Sequence, residues 1–232
     1  MNAIILAAGR GERLGEITQT LPKPMVRHLG KPVLQHNIEL CRRSGIREIC
    51  INLYHLPEVI RDYFGDGAGF GVNISYSVEQ ELLGTSGAVK NIARQSPEFT
   101  RQPFFVLYGD NYSNFNLSSL ELKMKETDAL GVVGFHYRED VSTSGVAEFD
   151  IDGRIISFVE KPTPGETNSH WVNAGIYLLN PAILDDIPDG NSDFARNIFP
   201  EMLNKKIPLY GVCDQGDVKA FDTPEMMKNN LI

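Results

Sequence analysis

Residues Ala3–Pro24, AIILAAGRGERLGEITQTLPKP, decide how the rest of the chain is read. An apolar run (Ile4, Ile5, Leu6) ends abruptly in Ala7-Ala8-Gly9-Arg10-Gly11. Arg13 follows, and Lys23 stands between Pro22 and Pro24. A buried strand, a turn of small residues and two placed cations describe a polyphosphate site. Small residues let the backbone approach an anion closely, and free N–H groups in such a turn accept negative charge. Arg13 can fork onto phosphate oxygens, and Lys23 can act as a point charge. Gly9 and Gly11 taken alone fit an ordinary strand-to-helix turn equally well; the two cations favour the phosphate site.

The glycine spacing excludes two common phosphate folds. A dinucleotide turn needs G-x-G-x-x-G, and here Gly15 comes one position too late after Gly9 and Gly11. The G-x-x-x-x-G-K-[ST] loop is absent from the chain.

Outward from this segment, strand and helix patterns alternate, the signature of a parallel α/β sheet. Strands are expected at 4–6, 48–53 (EICINL), 72–78 and 104–108, with helices over 34–44, from Pro57 onward and over 86–94. After residue 130 the pattern turns to strands at 130–137, 146–150, 155–159 and 172–179, the middle pair joined by the hairpin signal Asp152-Gly153. Helical segments are expected around 182–186 and 193–203. These patterns give one α/β domain, Rossmann-like, with a mixed, mostly parallel sheet flanked by helices. Residues 1–112 form its phosphate-binding half. Residues 113–232 form a β insertion covering a cleft at the carboxyl ends of the parallel strands.

Composition narrows the chemistry. The chain has 232 residues, 42% of them hydrophobic, enough to bury a sizeable single core. A formal net charge of −8 argues against nucleic acid or an anionic membrane as partner. Cys41, Cys50 and Cys213 contain no C-x-x-C pair, so neither a disulfide framework nor a zinc site is indicated. No leader pattern and no apolar run of about 18 residues is found, which points to the cytoplasm. Oligomeric state is left open; a homo-oligomer is allowed.

An acidic protein that binds a polyphosphate needs local cations, and usually a divalent metal. Asp110 ends the apolar run FFVLYGD. At the carboxyl end of a central strand it suits Mg²⁺, which takes one or two protein carboxylates plus phosphate oxygens. The alternative is a helix-capping aspartate. Asp222, in AFDTPE, is either a second ligand or an N-cap before Thr223-Pro224. Asp217 is the fallback. None of the histidines at 28, 36, 55, 136 and 170 forms a metal-spaced pair; His55 is placed to border the cleft.

The opening segment resembles the signature of the sugar-1-phosphate nucleotidylyltransferases, L-A-x-G-x-G-x-R-L followed by P-K-P. Leu6, Ala7, Gly9, Gly11, Arg13, Leu14, Pro22, Lys23 and Pro24 carry the match. The overall resemblance is strongest to guanylyltransferases of mannose 1-phosphate and heptose 1-phosphate. A proline and threonine common after R-L are replaced by Gly15-Glu16-Ile17. The resemblance implies the nucleotide-diphospho-sugar transferase fold and an Mg²⁺-dependent in-line attack of a sugar 1-phosphate on the α-phosphate of a nucleoside triphosphate.

It also implies site residues. Arg13 and Lys23 are catalytic, and Leu6, Ala7, Ala8, Gly9 and Gly11 hold the triphosphate. The segment EQELLGTSGAV holds the nucleobase through the Glu79 side chain, the Gly84 backbone and Thr85, with Gln80 as a one-residue alternative. Asp110 and Asp222 bind the metal. Asn111, Gly145, Glu160, Lys161 and Asn173 hold the sugar phosphate; from the residues alone, Glu160 and Lys161 fit a surface ion pair equally well. An ionised carboxylate at 79 only accepts hydrogen bonds, which favours guanine, with its adjacent N1–H and N2–H₂ donors, over uracil or thymine. The alternatives are a uridylyl-, thymidylyl- or cytidylyltransferase on another sugar 1-phosphate (N-acetylmuramic acid or glucose), a cytidylyltransferase on a phosphate such as phosphocholine, and a non-catalytic regulatory homologue.

Overall fold

The computed structural model describes residues 1–226. In chain order the elements are β1 (Ala3–Leu6), α1 (Ile17–Thr20), β2 (Arg27–His28), β3 (Lys31–Pro32), α2 (Val33–Arg43), β4 (Glu48–Leu53), α3 (Pro57–Phe64), β5 (Asn73–Val78), α4 (Gly84–Gln95) and β6 (Phe104–Tyr108). They continue with β7 (Asn111–Ser113), α5 (Leu117–Glu126), β8 (Gly131–Tyr137), β9 (Gly145–Phe149), β10 (Ile155–Glu160), β11 (Trp171–Leu179), α6 (Phe199–Asn204), β12 (Leu209–Asp214) and β13 (Val218–Ala220).

One mixed sheet runs β10-β9-β11-β6-β1-β4-β5, with β8 paired to β11 and β12 beyond it. β6, β1, β4 and β5 are mutually parallel; β1, β4 and β6 form the expected near-continuous apolar runs, while β5 at the sheet edge, NISYSV, mixes polar and apolar residues. Alternate residues of each strand feed opposite faces. Ile5, Ile51 and Leu107 meet Leu34 and Ile38 of α2 and Ile60 of α3 in one core layer. Ile4, Cys50 and Val106 meet Val89 and Ile92 of α4 and Phe199 of α6 in the other. Two flanking layers around one sheet are what bury both faces.

The chain leaves β1 in one direction, through β4 to β5, then crosses back to place β6 on the other side of β1. That reversal opens a crevice at the carboxyl ends of β1 and β6, the usual ligand position in open α/β sheets. The turn Ala7–Gly11 leaves β1 at this point, and Gly109-Asp110 leaves β6 beside it, with the Gly109 N–H donating to the Leu6 carbonyl at 2.8 Å.

The second half does not lie over the cleft as a separate cover. β11 pairs antiparallel with β6, so β8 to β12 extend the same sheet sideways. The hairpin at Asp152-Gly153 forms as expected, joining antiparallel β9 and β10 with Gly153 at φ +81°. Four elements differ from the sequence expectation. Helix α5, capped by the Asn116 side chain, follows β7 where the sequence reading placed nothing. β12 and β13 were likewise not anticipated. The helix expected at 193–203 divides into a π-turn, Phe194–Ile198, and α6. Residues 227–232 of the expected 113–232 half lie outside the described residues. Among the described residues no helix is long and apolar enough to cross a membrane.

Candidate active site

A cavity of about 670 Å³ lies against the crevice, and both halves of the chain line it. Lys23 enters it from a short 3-10 turn, Lys23–Met25, and the prolines on either side of it, Pro22 and Pro24, are buried with it. Gly11 makes room for this side chain. It sits at φ +65°, and a Cβ there would lie 3.0 Å from the Lys23 Cβ and 2.9 Å from the Thr18 methyl. His55 donates from Nε2 to the Thr18 carbonyl at 2.6 Å, so the tip of β4 pins the segment that follows the phosphate turn. The glycine turn and the P-K-P motif are thus two sides of one packed unit.

The Lys23 ammonium is buried between two carboxylates. It donates to Asp110 Oδ2 at 2.5 Å and to Asp222 Oδ1, and Arg13 Nη2 lies 3.3 Å from Asp222 Oδ2. Burial alone would lower the Lys23 pKa, but the charges of Asp110 and Asp222 outweigh it and leave the group raised. Burial likewise opposes ionisation of Asp222, yet Lys23 and Arg13 hold its carboxyl below the ordinary range. Lys23 and Asp222 are therefore both charged at neutral pH.

Both alternative readings of the aspartates as helix caps fail. Asp110 is followed by β7, and α5 takes Asn116 as its cap. At the other end the Thr223 hydroxyl, not Asp222, accepts the Met226 N–H at 3.2 Å. Asp217 lines the cavity too, with its backbone carbonyl accepting the Asn114 N–H, but it is not a carboxylate that meets Lys23. Asp110 owes its position to Asn37, a buried polar residue on the apolar face of α2. Its Nδ2 donates to the Asn111 carbonyl at 2.9 Å, with the Tyr108 and Gly109 carbonyls at 3.4 Å. An asparagine inside an apolar helical stripe was the signal for it.

Asn111 lines the same cavity, and the second half adds Gly145, Glu160, Lys161 and Asn173. Glu160 pairs in register with Gly145 across β9 and β10, and a Cβ on Gly145 would stand 2.9 Å from the Glu160 carboxylate. Glu160 and Lys161 do not form an ion pair among the described residues, and Lys161 takes a left-handed φ of +55°. The Glu160 pKa is raised, first by burial and then by the charge of Asp193, with Arg196 and Lys161 pulling the other way. Asn173 donates to the Tyr177 hydroxyl at 2.9 Å and accepts the Gly175 N–H at the same distance. Gly175 at φ +69° is required there, since a Cβ would lie 2.7 Å from the Tyr108 ring.

The sequence reading missed Tyr108, His136, Asp193 and Arg196, which line this cavity as well. Burial, helped by Arg138, pushes His136 down to about 4, so it is neutral.

The nucleobase segment has a different internal logic from the one expected. Gly84, at φ +71°, opens α4, and a Cβ there would stand 2.2 Å from the Ser192 carbonyl. The Thr85 hydroxyl donates to Asp193 Oδ2 at 2.9 Å and accepts the Phe194 N–H. Both residues dock α4 onto the 190–194 segment. Glu79 is 5% exposed, and its two oxygens accept from Asn52 Nδ2 at 2.7 Å and from the Leu83 N–H at 3.1 Å. Its identity as a carboxylate is explained by these neighbours, without a base. Leu6, Ala7 and Ala8 are buried at the end of β1, while Gly9 is exposed and a Cβ there would meet open space.

Mg²⁺ fits the carboxylate pair. Among the described residues no group of three or more His, Cys, Asp or Glu converges, but Mg²⁺ takes one or two carboxylates and completes its shell with water and phosphate oxygens. Two aspartates already gathered around one cation are that donor set.

Comparison with known proteins places the chain in a family. The chain is 38% identical over 224 residues to a UTP–glucose-1-phosphate uridylyltransferase of Synechocystis, covering 91% of this chain and 58% of the relative. It is 35% identical over 212 residues to a mannose-1-phosphate guanyltransferase of Schizosaccharomyces pombe, covering 89% and 57%. The chain therefore spans little more than half the length of these curated relatives. Among solved structures, HddC from Yersinia pseudotuberculosis complexed with GMP-PN superposes with a TM-score of 0.80 at 25% identity, covering 99% of this chain and 97% of HddC. A profile described as nucleotidyl transferase matches residues 2–221, and with that span accounted for, the chain belongs to the nucleotidyl transferase family.

Proposed function

We propose that this chain transfers a nucleoside monophosphate from a nucleoside triphosphate to a sugar 1-phosphate. The observation that carries this reading is the placement of Lys23, Asp110 and Asp222 in one cavity with Glu160, Lys161 and Asn173. One cluster suits a polyphosphate and the other a hydroxylated phosphate ester.

In the reaction an oxygen of the sugar phosphate attacks the α-phosphorus. The bond from that phosphorus to the bridging oxygen of the β-phosphate breaks, and pyrophosphate leaves. The attacking oxygen is already anionic, so no protein base is needed, and catalysis is positioning with charge neutralisation. The open space at Gly9 lets phosphate approach the turn. Arg13 holds the leaving phosphates. An ammonium has three N–H groups; Lys23 spends two on its aspartates, leaving a third for the α-phosphoryl oxygens. Asp110 and Asp222 would hold Mg²⁺, which neutralises phosphate charge when bound. Glu160 and Asn173 orient the sugar hydroxyls, and Lys161 takes the sugar phosphate.

Our first reading of the substrates is GTP with a manno-configured sugar 1-phosphate. It is supported by the guanyltransferase named among the relatives and by the GMP-PN complex of HddC. The second reading is UTP with glucose 1-phosphate, favoured by the 38% identical relative. Since Asn52 and Leu83 account for the carboxylate at 79, that residue does not decide between them. A matrix of four nucleoside triphosphates against several sugar 1-phosphates, scored by pyrophosphate release with Mg²⁺, tests both. Release with one pair identifies the substrates. Nucleotide binding without release from any pair would replace the enzyme with a nucleotide-sugar sensor.

A further inference from the structure

At the carboxyl ends of three adjacent parallel strands, a hydrogen-bonded chain runs across the sheet. Asn52, the penultimate residue of β4, pairs in register with Leu6 of β1 and Ser77 of β5. It is 3% exposed. Its Oδ1 accepts the Ala7 N–H at 2.7 Å, and its Nδ2 donates to Glu79 Oε1 at 2.7 Å. Glu79 Oε2 then accepts the Leu83 N–H at 3.1 Å.

The polarity of this chain is fixed at both ends. A backbone N–H can only donate, so the one at Ala7 forces the Asn52 oxygen toward β1 and its NH₂ toward Glu79. The N–H at Leu83 is also only a donor. Residue 79 is therefore faced by two donors and must supply two acceptors. A carboxylate does so, whereas a glutamine would turn its own NH₂ against one of them.

Ala7 opens the phosphate turn, and Leu83 precedes Gly84 at the start of the base segment. We infer that Asn52 is a positioning residue for the nucleotide, holding the phosphate turn and the base segment in fixed relation through Glu79. This rests on the reading, implied by the family resemblance, that residues 6–11 hold the phosphates and the segment around Gly84 holds the base. Buried polar chains are costly when half satisfied, so the whole unit sets or fails together.

The polarity can be exchanged without changing charge. Asn52→Asp still accepts the Ala7 N–H but turns a second carboxylate oxygen on Glu79. Glu79→Gln puts an NH₂ against a donor. Together, N52D and E79Q restore one donor facing one acceptor at each link. The four proteins of this cycle are compared by thermal melts, by calorimetric titration with GTP and with UTP, and by KM for the sugar 1-phosphate.

Each single variant should melt about 4–8 °C lower than the parent, as expected for a buried group left unsatisfied in a chain of this size. Each should bind its nucleoside triphosphate on the order of tenfold more weakly. The double variant should recover most of both losses, while KM for the sugar 1-phosphate stays within about twofold throughout. Losses that simply add in the double variant overturn the relay. Recovered melting with nucleotide affinity unchanged in every variant overturns the positioning role. If N52D does not fold, E79Q against the double variant decides by the same criteria. A parent protein that binds nucleotide but releases no pyrophosphate removes the proposed reaction alone, because the melts and titrations need no turnover.

Discussion

Replacing Lys23 by methionine separates the two jobs assigned to its ammonium. Methionine keeps an unbranched apolar stem in the space beside Gly11 and deletes the charge. Asp110 and Asp222 are then left facing each other. Two oxygens within reach of one former ammonium are at most roughly 5 Å apart, and at an effective dielectric of about 20 they repel by about 3 kcal/mol. Both side chains are about a quarter exposed (28% and 25%), and Arg13 still neutralises part of Asp222. Screening therefore reduces the cost to about 1–2 kcal/mol, equivalent to a fall of about 2–8 °C in melting temperature for a chain of this size.

In the parent a divalent cation meets an ammonium already held by the same carboxylates; in Lys23→Met it does not. The melting-temperature increase on adding excess Mg²⁺ should accordingly be larger in the variant. Turnover should fall about 10²–10³-fold, the scale of losing one transition-state charge contact. Differential scanning fluorimetry with and without Mg²⁺ reads the first effect, and steady-state pyrophosphate release reads the second. An equal or smaller Mg²⁺ shift in the variant refutes the shared position. A near-normal kcat refutes the catalytic role.

Gly84→Ala should cost at least about 2 kcal/mol, since it combines a left-handed φ with a Cβ 2.2 Å from the Ser192 carbonyl; a urea midpoint within error of the parent would contradict this. Asn37→Ala should loosen the Gly109–Asn111 turn, lowering kcat about tenfold with a smaller change in nucleotide KM; equal changes in both would assign Asn37 to general stability. His136 carries a folded pKa near 4, below its ordinary 6.5. Its stabilising contribution is therefore complete above about pH 6.5 and lost as pH falls toward 4, a span worth at most about 3 kcal/mol. Melts across that range should fall less steeply for His136→Gln than for the parent, and parallel curves would sink the assignment. Glu160→Gln should raise KM for the sugar 1-phosphate about tenfold while leaving nucleotide KM within about twofold; the reverse pattern would move Glu160 out of the sugar pocket.

The parallel half of the fold was legible because buried strands, glycine turns and Pro57 at a helix start are local signals, each confined to a few residues. Asp110 was legible for the same reason, standing at the end of the apolar run FFVLYG, whereas Asp222 was offered by the family resemblance. What could not be read were partners far apart in sequence. The sequence offers Thr85 as a nucleotide ligand but not its hydrogen bond to Asp193, 108 residues later. It offers Glu79 as a base reader but not Asn52 and Leu83 on its two oxygens. The caps weighed as alternatives for Asp110 and Asp222 fell to Asn116 and Thr223, and the pairing of β13 with β7 that separates Asp110 from α5 joins residues more than 100 positions apart. The second half was read as a cover because strands alone do not say which neighbour they choose, and β11 chose β6.

The clasp on Lys23 joins residue 23 to residues 110 and 222, positions separated by 87 and 199 along the chain. Contacts of that separation form late, after shorter loops have closed. A partly folded or partly synthesised chain can assemble β1, β4 and β5 and still lack one wall of the phosphate site. Completion of this site therefore reports completed folding, because Lys23 waits for a partner 199 residues later in the chain.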